Sequence, residues 1–217
     1  VHKIVCRLKQ DFPGLPLILF GHSMGSLIVR AYTKAYDDTL NGLFVCGCPA
    51  NNPAAPVGKL IIRTMAKAKG WHYRSRMVEQ LVTGGFNRPF RSENNANAWI
   101  CTDPKVVEAY DADPKCGFPF TLNGYYSLLN LVTNVYSKKN WKLANASLPI
   151  HFISGGDDPC RIDDKHFYQA VNTMKAVGYQ NVTARLYPGM RHELLNEPVQ
   201  KDVMADMLCI MNRICKA

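Results

Sequence analysis

Hydrophobic and polar positions follow ordered rhythms at the two ends of the chain and lose that order in the middle. Over residues 1–10, Val1, Ile4, Val5 and Leu8 share one face of a helical pattern, with Lys3, Arg7 and Lys9 elsewhere. Phe12-Pro13-Gly14 stops it. Residues 15–20 are apolar at nearly every position after Pro16, which predicts a parallel strand covered on both faces. A helical stripe of Leu27, Ile28, Ala31 and Ala35 follows over 26–36. The turn signal Asn41-Gly42 and a second apolar strand over 43–46 complete one strand–helix–strand unit.

The rhythm returns at residue 149. Residues 149–154 predict a strand, and 164–177 a helix with Phe167, Ala170, Val171 and Met174 on its core face, closed by Gly178. Residues 182–187 predict a further strand, and 198–215 a last helix striped by Val199, Val203, Met207, Ile210 and Ile214. Between these halves the pattern changes. Pro53-Ala54-Ala55-Pro56 reads as a linker, and 57–69 as a helix with Leu60, Ile61 and Met65 on one side and Lys59, Arg63 and Lys67 mostly on the other. Asn, Gly and Pro then punctuate the chain to about residue 140. The expected organisation is an α/β core in two parts, 1–50 and 141–217, with helices of 51–140 inserted as a lid.

Composition narrows the options. The chain has 217 residues, 47% of them hydrophobic, enough for one domain with a sizeable core. No apolar run approaches the length of a membrane-spanning helix. The formal charge of +9 favours anionic partners, but the basic residues are scattered and no nucleic-acid-binding motif is present. Locally the bias is steeper: Lys59, Arg63, Lys67, Lys69, Arg74, Arg76, Arg88 and Arg91 stand against Glu79 alone. They form either a solvated face or a lid that meets an anionic lipid surface. Cys46 lies in an apolar run, Cys209 in a helical pattern, and Cys46-x-Cys48 lacks the spacing of a zinc pair. Free thiols in a reducing compartment, and with no charged-then-apolar leader a cytoplasmic location, are expected.

The candidate chemistry starts at Gly21-His22-Ser23-Met24-Gly25, set between the first strand and the first striped helix. A G-x-S-x-G turn in that setting is a nucleophile elbow, too sharp for side chains at the glycines, which lifts the serine hydroxyl clear of the backbone. A serine hydroxyl needs a base, and the base an orienting acid. His192 lies in a Pro-Gly loop just beyond the strand 182–187, where an open α/β sheet places its site. His22 sits inside the turn with its side chain expected to point away from Ser23, and His151 lies within a strand. Asp157 and Asp158 both follow the strand 149–154. Asp158 is preferred, because Pro159 holds it extended at the loop tip. Asp163 and Asp164 suit the cap of the next helix.

Gly-His-Ser-Met-Gly-Ser at 21–26, Ser-Gly-Gly-Asp-Asp-Pro at 154–159 and Tyr-Pro-Gly-Met-Arg-His-Glu at 187–193 resemble the three catalytic motifs of monoacylglycerol lipase and lysophospholipase-like α/β-hydrolases. The segment 113–121 resembles the lid region of bacterial members of that group. The resemblance implies an α/β-hydrolase fold, a mostly parallel sheet with flanking helices. It also implies Ser23 as nucleophile, Asp158 as acid, His192 as base, the Met24 backbone N–H in the oxyanion hole, and ester hydrolysis on a lipid-like substrate. No metal or organic cofactor is called for. Leu60, Ile61 and Met65 would line an acyl channel or simply pack the lid. Two rivals stand beside this reading: another α/β-hydrolase such as a thioesterase or proline-type aminopeptidase, and a non-catalytic module that binds a lipid or a partner. Family members also carry, upstream of the elbow, further strands and a His-Gly loop that gives a second oxyanion donor. Neither is found before Leu15, so the expectation is a partial sequence of an active enzyme, with N-terminal strands missing.

Overall fold

Four strands, β1 (Ile18–His22), β2 (Gly42–Cys46), β3 (Ile150–Gly155) and β4 (Val182–Tyr187), pair in chain order, every neighbour parallel. The computed structural model describes residues 1–216. Parallel neighbours need crossovers, which the helices α1 (His2–Asp11), α2 (Met24–Tyr36), α7 (Asp164–Val177) and α8 (Gln200–Lys216) supply or flank. The period of two along β2 sorts its side chains into two cores. Leu43 and Val45 join Val29 and Tyr32 of α2 and Phe167, Ala170 and Met174 of α7 on one face. Phe44 and Cys46 join Val203 and Met207 of α8 on the other. Every β2 residue is buried as a result, as a strand covered on both faces must be.

The first strand differs from its expected form. Its pairing covers Ile18–His22, with His22 opposite Cys46, so the ladder runs into the elbow itself rather than stopping at Phe20. Leu15 is exposed and Pro16 has no N–H to offer a ladder. β1 stands at the edge of the four-strand order, and its side chains are mostly half-buried. On α1 only Val5 is buried; Val1, Ile4 and Leu8, expected on the same inward face, are exposed.

Between β2 and β3 lie α3 (Ala55–Lys69), α4 (Arg76–Val82), α5 (Pro104–Ala112) and α6 (Leu122–Tyr136). They build a cap with its own core of Ala55, Ile62, Ala66, Val78, Leu122, Tyr125 and Leu129. Side-chain caps from Ser75, Asp103 and Thr121 start three of these helices. The cap rests on the sheet layer through Val132 and Val135 of α6, which meet Leu27 of α2. The face of α3 corrects the sequence reading. Its buried stripe is Ala55, Ile62 and Ala66, while Leu60 is 64% and Ile61 36% exposed. Lys59, expected outside, reaches Asn130 and Thr133 of α6 at 3.2 and 3.3 Å. Among the described residues no helix is long and apolar enough to cross a membrane.

One charge is enclosed where α2 meets α6. Arg30 is fully buried, its guanidinium 4.6 Å from the Tyr136 ring centre and 5.7 Å from that of Phe152. It donates to Cys48 Sγ at 3.2 Å and Val135 O at 3.3 Å, and its Nε has no partner. Among the described residues no carboxylate pairs with it.

Candidate active site

Because all four strands are parallel, their carboxyl ends lie on one edge of the sheet, and the loops that follow β1, β3 and β4 gather there. Ser23 occupies the step from β1 into α2 with φ 55 and ψ −121, a conformation that costs a non-glycine residue about 1–3 kcal/mol. Three hydrogen bonds hold it there. Ser23 N–H donates to Cys46 O at 3.0 Å, and Ser23 O accepts from Ser26 N at 2.9 Å and Ser26 Oγ at 2.5 Å. Met24 opens α2, so its N–H is one of those a helix leaves without an internal partner. The two motif glycines are not equivalent. A Cβ on Gly21 would lie 2.4 Å from Gly25 O, whereas one on Gly25 would meet nothing within 4 Å. Only the first has a steric reason to be glycine, which corrects the expectation that the turn excludes side chains at both.

The loops after β3 and β4 bring Asp158 and His192 together. His192 Nδ1 lies 3.0 Å from each Asp158 carboxylate oxygen, with both side chains buried. A carboxylate only accepts, so the proton of this bond sits on Nδ1, and in the neutral ring Nε2 then keeps its lone pair, the tautomer a general base requires. Asp158 also accepts from Ser154 Oγ at 3.0 Å and Cys160 N–H at 2.9 Å. Burial alone would push its carboxyl up; the His192 charge and hydrogen bond and the Cys160 and Ser154 donors reverse this and hold it below the ordinary carboxylate value. Asp157 is exposed and contributes its backbone N–H to Met190 O at 2.8 Å. Asp163 caps α7, accepting His166 N–H at 2.8 Å. Arg161 braces the acid loop by donating to Gly155 O, Gly156 O and Asp164.

His22 takes a part beyond shaping the turn. Its Nε2 donates to the His192 carbonyl oxygen at 3.0 Å, and its ring centre lies 4.6 Å from that of His192. Burial, reinforced by neighbouring His192, holds it below its ordinary value. The residue beside Ser23 thus supports the His192 backbone.

Three contributors went unseen in the sequence. Trp99, in the cap, sets its ring 5.0 Å from that of His192. Arg191 lies 4.0 Å from the Phe90 ring centre, pairs with Glu93 and donates to Ala98 O and Cys101 O. Glu197 is buried and accepts from Arg191 N–H and Thr102. The run after His192, with acids at 193 and 197, was the available signal, but only the fold reveals which acid turns inward.

The cap residues singled out by periodicity lie elsewhere. Leu60 and Ile61 face outward, and Met65 packs on the cap's own core. Asp158, Cys160 and His192 present ligand-type atoms within 4.8 Å of one another. Both Asp158 oxygens already accept hydrogen bonds, from His192, Ser154 and Cys160.

Residues 1–199 match the Hydrolase_4 family, described as serine aminopeptidase, S33. The chain is 30% identical over 198 residues to a monoacylglycerol lipase of Mycolicibacterium smegmatis; the match takes in 91% of this chain and 62% of the relative's length. Among solved structures, a thermostable carboxyl esterase of Bacillus coagulans, in complex with glycerol, superposes with a TM-score of 0.87 at 25% identity, over 99% of this chain and 70% of that one. A monoglyceride lipase of Saccharomyces cerevisiae gives 0.69 at 19% identity, over 99% and 66%, a likeness of fold.

Proposed function

The chain belongs to the Hydrolase_4 (serine aminopeptidase, S33) family of α/β-hydrolases, and from that premise we propose a serine hydrolase that cleaves carboxylic esters of lipid-like substrates, of the monoacylglycerol lipase or lysophospholipase type, through an acyl-enzyme. The observation that carries the reading is the 3.0 Å bond of His192 Nδ1 to Asp158, on loops that share a sheet edge with the strained Ser23. In this mechanism His192 Nε2 takes the Ser23 proton as Oγ bonds to the ester carbonyl carbon. The Met24 N–H, at the positive end of α2, stabilises the oxyanion. Collapse breaks the carbon–alkoxide bond, and His192 protonates the departing alcohol. Water, activated by the same imidazole, then releases the acid and restores Ser23. Asp158 holds the ring's tautomer and stabilises the imidazolium.

A lipid-like substrate is supported by the resemblance to lipases and by the outer face of the cap. The cap segment 57–81 exposes Val57, Leu60, Ile61, Trp71 and Leu81 together with Arg63, Lys67 and Arg74, a composition suited to an anionic lipid surface. Leu60 and Ile61 then belong to that outer face, with Met65 beneath it, in place of the acyl channel expected from sequence. The family description favours a second reading, an aminopeptidase that uses the same three residues on an amide.

A p-nitrophenyl ester assay with fluorophosphonate labelling tests the machinery. Ser23→Ala and His192→Ala are expected to abolish both signals. Asp158→Asn is expected to lower kcat by about 10⁴-fold, with Asp157→Asn near wild type. Turnover surviving in Ser23→Ala, or equal losses at the two aspartates, sinks the assignment. A panel of monoacylglycerols, lysophospholipids, acyl thioesters and prolyl anilides decides the substrate, with monoacylglycerols expected to lead and a prolyl anilide lead favouring the second reading.

A further inference from the structure

Two peptide groups beside the base, Met190–Arg191 and His192–Glu193, are pinned, and one buried carboxylate pins the first of them from the cap side. The Met190–Arg191 peptide is held at both ends: its carbonyl accepts Asp157 N–H from the acid loop at 2.8 Å, and its N–H donates to Glu197 Oε1 at 2.7 Å. The acid loop passes so close that a Cβ on Gly155 would lie 2.1 Å from Arg191 O and 2.2 Å from Met190 O. Two residues beyond Met190, the carbonyl of His192 accepts from His22, and Glu193 N–H donates to Ile100 O at 2.8 Å. Glu197 itself is 0% exposed, and among the described residues none of the ion pairs includes it. Its remaining bonds come from Thr102, whose N–H lies 3.1 and 3.2 Å from the two oxygens and whose hydroxyl donates to Oε2.

A fully buried carboxylate with three donors and no cation is a costly arrangement for filling space. Its donors are the residue before His192 and the cap segment that carries Trp99 onto the His192 ring. We propose that Glu197 is a positioning residue for the base: it locks the Met190–Arg191 peptide to the cap and so sets the imidazole between Asp158 and Ser23. It touches no reacting atom and acts through His192. The cap segment 98–102 is on this account a fixed wall of the site, built into the base loop.

The proposal rests on the serine-hydrolase reading, and its test separates the two. Glu197→Ala frees the peptide, and a misplacement of about 1 Å lowers kcat by about 10²-fold. KM for a short p-nitrophenyl ester stays within about twofold, because no substrate contact is removed. The fluorophosphonate labelling rate falls with kcat, at temperatures where a melting curve shows the variant folded. The low-field proton resonance of His192 Nδ1–H broadens or is lost. Glu197→Gln keeps the volume and one acceptor oxygen, so it recovers much of the rate, leaving a loss of about tenfold. It carries the test should the alanine variant not fold. Variants that stay folded and keep kcat and labelling within about threefold of wild type overturn the proposal, as does a loss confined to KM or to melting temperature. Wild-type protein that fails to label overturns the serine-hydrolase reading instead.

Discussion

Replacing each elbow glycine in turn by alanine yields opposite results from one five-residue motif. At Gly21 the added Cβ lies 2.4 Å from Gly25 O, 2.7 Å from Gly25 C and 2.7 Å from Val29 Cγ2. Ordinary contact begins at 3.4 Å, so the Gly25 carbonyl must retreat by about 1 Å. That carbonyl is backbone in the first turn of α2, and its retreat carries Met24 N–H and Ser23 with it. Overpacking of this kind costs about 1–3 kcal/mol of stability. Displacing the nucleophile by a comparable distance costs about 10²-fold in kcat. Gly25→Ala meets nothing within 4 Å and replaces a glycine inside a helix, which stabilises by about 0.5–1 kcal/mol. Urea unfolding of both variants beside wild type, with ester turnover of the first, reads these effects. The steric argument fails if Gly21→Ala is no less stable than Gly25→Ala, or if it retains full turnover.

Two further expectations concern basic side chains held away from water. His22 is held by burial below its ordinary value of 6.5, so in acid the unfolded chain binds a proton the folded protein refuses. Stability is complete above pH 6.5 and declines as the pH falls below it; His22→Gln flattens that slope in urea midpoints taken from about pH 7 to about pH 5, leaving the share of His151, which burial also lowers. An unchanged slope in the variant refutes the assignment. Arg30, enclosed without a carboxylate, is the other case: Arg30→Met is expected to raise stability by about 1–2 kcal/mol, and a loss above about 1 kcal/mol in urea unfolding would mean that the Tyr136 and Phe152 rings more than repay the buried charge.

Elements buried by their own periodicity were legible along the chain. The strand at 182–187 and the helix at 164–177 match the observed β4 and α7 at both ends, and Gly178 closes the helix with φ 120. The placement of Ser23, Asp158 and His192 was legible because each follows a strand, and topology alone sends such loops to one edge. The reading failed where a contact depends on small residues or on distant backbone. On α3 the larger apolar side chains point outward, while Ala55 and Ala66 let the helix approach α6 closely. A Cβ on Gly58 would already lie 3.1 Å from Leu129 Cδ1. A periodicity argument weights large apolar residues and so selects the wrong face. Glu197 and Trp99 were invisible for another reason: their partners, Thr102 and His192, are brought near only by the crossing of cap and base loop.

The long excursion of the chain between β2 and β3 also sets an order of assembly. Asp158 and His192 are 34 positions apart on the loops of one contiguous β3–α7–β4 unit. Ser23 belongs to an earlier β1–α2–β2 unit, and the sheet joins the two units where Leu43–Cys46 pairs with Ile150–Ile153 across the whole insertion. Closing so long a loop is slow to be rewarded, although each doubling of its length adds only about 0.6 kcal/mol. A chain emerging from the ribosome completes the Ser23 turn early and the Asp158–His192 pair late. On the proposed mechanism, reactivity at Ser23 therefore reports that the two units have met.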